Sequence, residues 1–235
     1  MSGYLTMRDL CSTGNYANVF YAYTKPVNEP CVENFIVPIG HNRDHCLNNR
    51  CLTRNPKTGG TAIVKALNKS NSNINANFGH YTTLDSPNEI VVLRDPFERF
   101  KSAINFMRYA HHRNKTKYLL EFDTFVNMMK VTDYKKLFDE VLNKDLVFTP
   151  QHNWVGKNST VLCYEKGIEN EFKEKLGETI KLDQVNTKDN LDTGGGKTPT
   201  ENEREIYWKD SDAAVKDILN HFYKEDIELY KKYCG

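Results

Sequence analysis

Between Glu89 and Leu93 the chain reads Glu-Ile-Val-Val-Leu, a nearly unbroken apolar run of strand length. A strand apolar on both faces leaves no side for water, so the run predicts a buried strand in a parallel sheet. Asp95-Pro96 follows, an N-cap carboxylate ahead of a proline at the first helical position. The helix it opens buries Phe97, Phe100 and Ile104, with Met107 or the stem of Arg108 extending the stripe. Arg50–Arg54 predicts a short strand and Ala62–Leu67 a helix with Ile63, Ala66 and Leu67 on one face. Thr160–Tyr164 reads as another strand, and helical spacing recurs over Phe122–Lys130, Tyr134–Leu142 and Asn170–Leu176. Two helices are expected to close the chain, the last with Val215, Ile218, Leu219, Phe222 and Tyr223 on its apolar side. Lys69–Asn77 and Asn186–Thr198, the latter holding Gly194, Gly195 and Gly196, are polar and read as loops. Strands alternating with helices imply an α/β sandwich with a mainly parallel sheet.

The patterned region spans residues 49–235 and has the size of one domain; residues 1–48 are turn-rich, weakly patterned and without an assignable chemistry. Lys+Arg 32 against Asp+Glu 31 gives no general attraction for nucleic acid or an anionic membrane, so no nucleic-acid partner is expected and any basic site is local. No segment approaches the roughly 18 apolar residues of a membrane helix, and the start lacks the charged and apolar blocks of a signal peptide. The chain as written is therefore expected to be soluble and without a membrane segment, its compartment unknown. An anchor lying outside this sequence would open the Golgi lumen to it. Four of the six cysteines (Cys11, Cys31, Cys46, Cys51, Cys163 and Cys234) fall in the first 51 residues, and their pairing is open. His41, His45, Cys46 and Cys51 lie close together but not in a standard zinc spacing, and structural cysteines are the preferred reading. N-x-S/T triplets at Asn68, Asn114 and Asn158 arise easily in an Asn-rich chain.

The chemistry concentrates after the first strand, in Asn55-Pro56-Lys57-Thr58-Gly59-Gly60-Thr61-Ala62. Strand, glycine turn and helix start form a cradle for an anion: glycines admit the ligand to the backbone, and the first helical N–H groups point at it. Lys57 adds a mobile charge; the plainer reading is a strand–helix turn with a surface lysine. The loop is not that of an NTPase, because its lysine precedes the glycines. Gly196-Lys197-Thr198 has an NTPase-like ending, but Leu191 stands in place of the first glycine and Pro199 interrupts the helix. A second anion grip is expected from Arg94, at the end of the buried strand, and Ser102, two turns into the next helix. Arg99 could join this grip, but a salt bridge with Glu98 or a neighbouring helix is the preferred reading.

These pieces together resemble the sulfotransferases that use 3′-phosphoadenosine 5′-phosphosulfate (PAPS), in particular the carbohydrate, Golgi-type branch that includes heparan sulfate 2-O-sulfotransferase. That family's P-K-T-G-x-T loop is matched by Pro56–Thr61, and its R-D-P-x-x-R-x-x-S element by Arg94–Ser102. Gly79-His80 is similar to its G-H pair, Pro150–Trp154 to its P-Q-x-x-W segment, and Tyr223–Tyr230 to its closing Y-x-x-D-x-x-L-[FY]. The short interval between His80 and Arg94 departs from the family's spacing. The resemblance covers about Leu52 to Tyr233 and implies a P-loop-like three-layer α/β sandwich, its central sheet flanked by helices.

It further implies transfer of a sulfuryl group from PAPS to a hydroxyl, on a carbohydrate acceptor, without a metal. Lys57 and the amides of Thr58 to Ala62 would stabilise the departing phosphate, and His80 would take the hydroxyl proton; the plainer reading of His80 is a structural histidine. Arg94 and Ser102 would hold the 3′-phosphate. On the glycine-rich loop, Lys197 with Thr198 closes over the donor or forms part of a solvated flexible loop. Tyr164 stacks on adenine or fills the core; His152 and Trp154 line the acceptor cleft or plug the interior. The basic run Arg108, His111, His112, Arg113, Lys115 and Lys117 is a landing strip for an acidic glycan or a solvated helix end. The other readings are a non-catalytic nucleotide- or glycan-binding module and a nucleotide-dependent kinase.

Overall fold

The computed structural model describes residues 4–5, 37–38, 45–76, 80, 83–114, 134–143, 146–183 and 213–235. Two short strands, β1 (Tyr4–Leu5) and β2 (Val37–Pro38), pair antiparallel. A short helix α1 (His45–Asn48) then leads to β3 (Cys51–Thr53), to which a Cys46–Cys51 disulfide ties it. That bond takes both thiols out of the grouping with His41 and His45. It also crosses the boundary expected near residue 48.

The sheet is β3, β4 (Glu89–Leu93) and β5 (Thr160–Cys163), parallel, with β4 in the middle. Every residue of β4 is buried, as its continuous apolar run requires. Side chains alternate across it. Ile90 and Val92, with Leu52 and Leu162, pack under α2 (Gly60–Lys69) and α5 (Ile168–Leu176). Val91 and Leu93, with Val161 and Cys163, face Trp154, Val155 and the closing helix α7 (Lys224–Cys234). Helices therefore cover both faces of a small parallel sheet, an α/β arrangement. No helix of the described residues is long and apolar enough to cross a membrane.

Two expectations shift. The apolar stripe Val215, Ile218 and Leu219 lies on a helix, α6, over residues 213–222, but this is not the last one; α7 follows after Tyr223. The Tyr134–Leu142 pattern forms α4 (Tyr134–Leu137) and continues as a π-helical turn, Phe138–Leu142. The helix read over 122–130 and the loop over 186–198 lie outside the described residues.

α3 (Pro96–Asn114), α4 and α6 build a second core from Phe100, Ile104, Leu137, Leu142, Ile218 and Tyr223. Where it meets the sheet sits Arg99, only 2% exposed. It makes no pair with Glu98. Its Nε donates to the Pro56 carbonyl at 3.0 Å, and Nη2 donates to Val147 at 3.2 Å and Thr149 at 2.7 Å. Burial lowers its pKa, and the negative charge of Asp226 opposes that shift. Removing one member of such a buried charged set strands the others. Arg99→Met is expected to cost about 3–5 kcal/mol, measured by urea unfolding, with Arg99→Lys nearly as damaging because one ammonium cannot reproduce the fork.

Candidate functional site

β3 delivers the chain to the site through Asn55, whose buried amide donates to the Val92 carbonyl at 3.2 Å and to Gln151 Oε1 at 3.1 Å. Thr58 Oγ1 donates back to the Asn55 carbonyl at 2.8 Å, closing the turn. Inside it Lys57 takes φ 67°, a left-handed conformation unusual for a residue with a Cβ. Gly59 takes φ 79°, and a Cβ there would come within 2.9 Å of the Tyr164 ring. A Cβ on Gly60 would meet the Arg54 side chain at 2.7 Å. Both glycines are thus set by close neighbours as well as by the turn.

The start of α2 is open. It has no side-chain cap and no acid in its first turn, whereas α3, α5 and α7 carry Glu98, Glu169 with Glu171, and Glu225 with Asp226 in theirs. The Ala62 and Ile63 amides donate to the Gly59 carbonyl, so Ala62 is engaged internally. The Gly60 and Thr61 amides have no carbonyl partner among the described residues. A positive helix end left in this state attracts an anion. α3 is the contrast, because Asp95 Oδ1 caps the Phe97 and Glu98 amides at 3.0 Å each and supplies its own negative charge.

Arg94 approaches the same loop from β4. The side-chain amide of Gln151 grips its backbone twice, accepting from Arg94 N at 3.0 Å and donating to its carbonyl at 2.8 Å. The guanidinium donates from Nη1 to the Lys57 carbonyl at 3.3 Å and stacks 4.8 Å from the centre of the Tyr164 ring. Glu165 lies 4.0 Å from Nε and also accepts from Asp95 N, at 3.0 Å. Tyr164, 36% exposed, is therefore a surface ring beside the loop and not a core residue. Ser102 is half-buried on α3, and its hydroxyl has no hydrogen-bond partner among the described residues, Arg94 included.

His80 faces the opposite flank. Its Nδ1 lies 2.6 Å from the Arg54 carbonyl. A carbonyl only accepts, so Nδ1 carries the proton and Nε2 keeps its lone pair. The ring meets Trp154 edge-on at 6.1 Å, which puts Trp154 in the interior beside the candidate base. Burial pushes the His80 pKa down to about 4; the charge of Arg54 adds to this, its carbonyl opposes it, and Arg99 and Lys57 contribute further lowering.

Arg54, Gln151 and Asp226 did not stand out in the sequence as site residues. Arg54 Nη2 donates to Thr61 Oγ1 at 2.9 Å, adding a cation at the helix start. Asp226, 1% exposed, accepts from the Gln151 and His152 amides at 2.7 and 2.9 Å and from His152 Nδ1 at 2.9 Å. The available signal was the P-Q-x-x-W and Y-x-x-D spacing, which marks Gln151 and Asp226 without saying that they touch. Lys197, Thr198, Gly79, Lys115 and Lys117 lie outside the described residues, as do the side chains of Arg108, His111, His112 and Arg113.

Two outcomes follow from this geometry. Between pH 6.5 and about 4 the unfolded chain binds a proton that native His80 refuses, so stability falls as pH drops through that window and is flat above it. Wild-type protein is expected to lose about 2 kcal/mol between pH 7 and pH 5 from this residue, and His80→Gln to remove that part of the slope in urea titrations. At position 57 the left-handed backbone favours glycine, so Lys57→Gly is expected to unfold about 1 kcal/mol later than Lys57→Ala. No family model, no curated protein and no solved structure matches this chain.

Proposed function

We propose that the chain is a sulfotransferase that moves the sulfuryl group of PAPS to a hydroxyl of a carbohydrate, on a P-loop-like α/β scaffold. The observation that carries this reading is the uncapped, acid-free start of α2, with Arg54 bonded to Thr61 in its first turn and Arg94 bonded to the carbonyl of Lys57 in the preceding loop. That constellation suits a nucleotide carrying two separate phosphate groups. The motif order Pro56–Thr61, Arg94–Ser102, Pro150–Trp154 and Tyr223–Tyr230 supports the sulfated donor over other nucleotides.

In the transfer, the acceptor oxygen attacks sulfur as the bond from sulfur to the bridging phosphate oxygen breaks. The hydroxyl proton passes to Nε2 of His80, and the electron pair leaves on the 5′-phosphate, beside Lys57 and the Gly60 and Thr61 amides. A His80 pKa of about 4 keeps the ring neutral and Nε2 available before the donor binds. An anion beside Arg54 and Lys57 offsets two of the charges that depress it, so basicity rises when the donor arrives. The Cys46–Cys51 and Cys163–Cys234 disulfides support an oxidising compartment, the Golgi lumen among them.

Turnover of radiolabelled PAPS with a panel of hydroxyl acceptors is the direct test. Lys57→Ala is expected to abolish turnover with the fold intact. His80→Ala is expected to lower kcat by roughly 10²–10⁴ with donor affinity nearly unchanged. In calorimetry, Arg94→Ala and Ser102→Ala should weaken 3′-phosphoadenosine 5′-phosphate far more than adenosine 5′-phosphosulfate. Equal losses for the two nucleotides would remove both residues from the 3′-phosphate, and absence of binding by the wild type would end the sulfotransferase reading.

A further inference from the structure

Two large apolar side chains stand exposed among the described residues, Phe106 at 40% and Tyr164 at 36%, and both border the Lys57 loop. Tyr164 covers Gly59 and carries Arg94. Phe106 lies across the loop on α3, and the Lys57 ammonium sits 4.4 Å from the centre of its ring. A phenylalanine left this open to water keeps an apolar face wet, and the electron-rich face attracts a cation. Lys57 is also the non-glycine residue of the loop that holds a left-handed backbone. Two unusual features therefore meet in one contact, a bent lysine and an uncovered ring.

We propose that Phe106 is a positioning residue that seats the Lys57 ammonium while the loop holds no anion, and releases it when a phosphate arrives. The proposal rests on the anion-binding reading of the loop given above. A cation–π contact at an exposed site is weak beside a charge-assisted bond to phosphate, so the anion wins the ammonium once it reaches the loop. Until then the seat keeps the ammonium from ranging over its rotamers. It also keeps this charge beside α3, while the Arg94 guanidinium donates to the Lys57 carbonyl. Release uncovers the ring, so an aromatic face becomes available beside the reacting group only after the donor is in place.

The seat is read directly by NMR of the full chain with labelled lysine, assigned by loss of the signal in Lys57→Ala. The ring current of Phe106 is expected to move the Lys57 ε-methylene protons upfield in the free protein. Phe106→Leu should return them to the ordinary position, and Phe106→Tyr, which keeps the ring, should not. Titration with 3′-phosphoadenosine 5′-phosphate, and separately with inorganic pyrophosphate, should abolish the upfield shift in the wild type. Because Phe106→Leu no longer holds the lysine back, it should bind 3′-phosphoadenosine 5′-phosphate about two- to fivefold more tightly. The same change made in Lys57→Ala should have no effect on affinity, a coupling that a merely structural phenylalanine would not produce. A Lys57 signal indifferent to Phe106→Leu, or unmoved by a nucleotide that demonstrably binds, overturns the proposal. A wild type that binds no adenosine nucleotide overturns the sulfotransferase reading instead, and the seat is then judged by the ring-current shift and its response to pyrophosphate.

Discussion

The buried guanidinium of Arg99 is the constraint on which the site depends. A charge at 2% exposure is tolerable only with hydrogen bonds and a counter-charge near, and Arg99 has three carbonyls on its donors and the charge of Asp226. Three carbonyls from two distant segments, Pro56 on one side and Val147 with Thr149 on the other, converge on one side chain of α3. Tyr223 donates to the carbonyl of Phe148 at 2.7 Å, filling in the strand of chain between the two carbonyls that Arg99 holds. A hydrophobe of similar size could fill this volume but would leave those carbonyls unpaired. The residue is therefore fixed by the backbone groups it satisfies as much as by the space it fills.

From there the order propagates through polar groups that each serve two partners. Asp226 balances Arg99 and holds the amides of Gln151 and His152. Gln151, fully buried, uses its own side chain to lock Asn55 at the end of β3 and Arg94 at the end of β4. Two adjacent strand ends are thereby held in fixed relation by one amide. The consequence is that the backbone from which Arg94 leaves is fixed, and the Lys57 carbonyl to which its guanidinium bonds is held with it. The Cys163–Cys234 disulfide closes the same circuit covalently, joining the end of β5 to the helix that carries Asp226.

What the sequence made legible is local. The apolar run Glu89–Leu93 emerged as a buried strand with its predicted ends, and Asp95-Pro96 as a capped helix start, because both signals lie within a few residues. The sequence of strand, glycine turn and helix was legible, although only geometry separates the open amides of Gly60 and Thr61 from the engaged Ala62. Arg99 bonds to carbonyls 43 to 50 positions away and not to Glu98, because a salt-bridge expectation rests on near neighbours and the fold brings distant backbone to it. Gln151 and Asp226 meet across 75 positions, and no periodicity encodes that distance. Tyr164 was weighed as a core residue because it follows an apolar strand; the chain turns into a 3₁₀ segment there and swings the ring outward. The extra helix Lys224–Cys234 was missed because its exposed side is dense in lysine and glutamate, and its buried side joins Asp226 to the final cysteine.

The site also holds an imbalance that local rules would have avoided. Arg54, Lys57 and Arg94 stand near one helix start that has no acid of its own, and the imidazole beside them is driven neutral. Lys57 keeps a conformation that glycine would adopt at lower cost. Glu165 offsets only part of this charge, from 4.0 Å and while bonded to Asp95 N. The starts of α3, α5 and α7 each carry a carboxylate, and the start of α2, which follows the loop, does not. A fold optimised for stability alone would place an aspartate before Gly60 and a glycine at position 57. Concentrated positive charge, strained backbone and open amides at a single loop are together what an anionic ligand neutralises, and the buried network behind the loop is what lets the protein hold them in its absence.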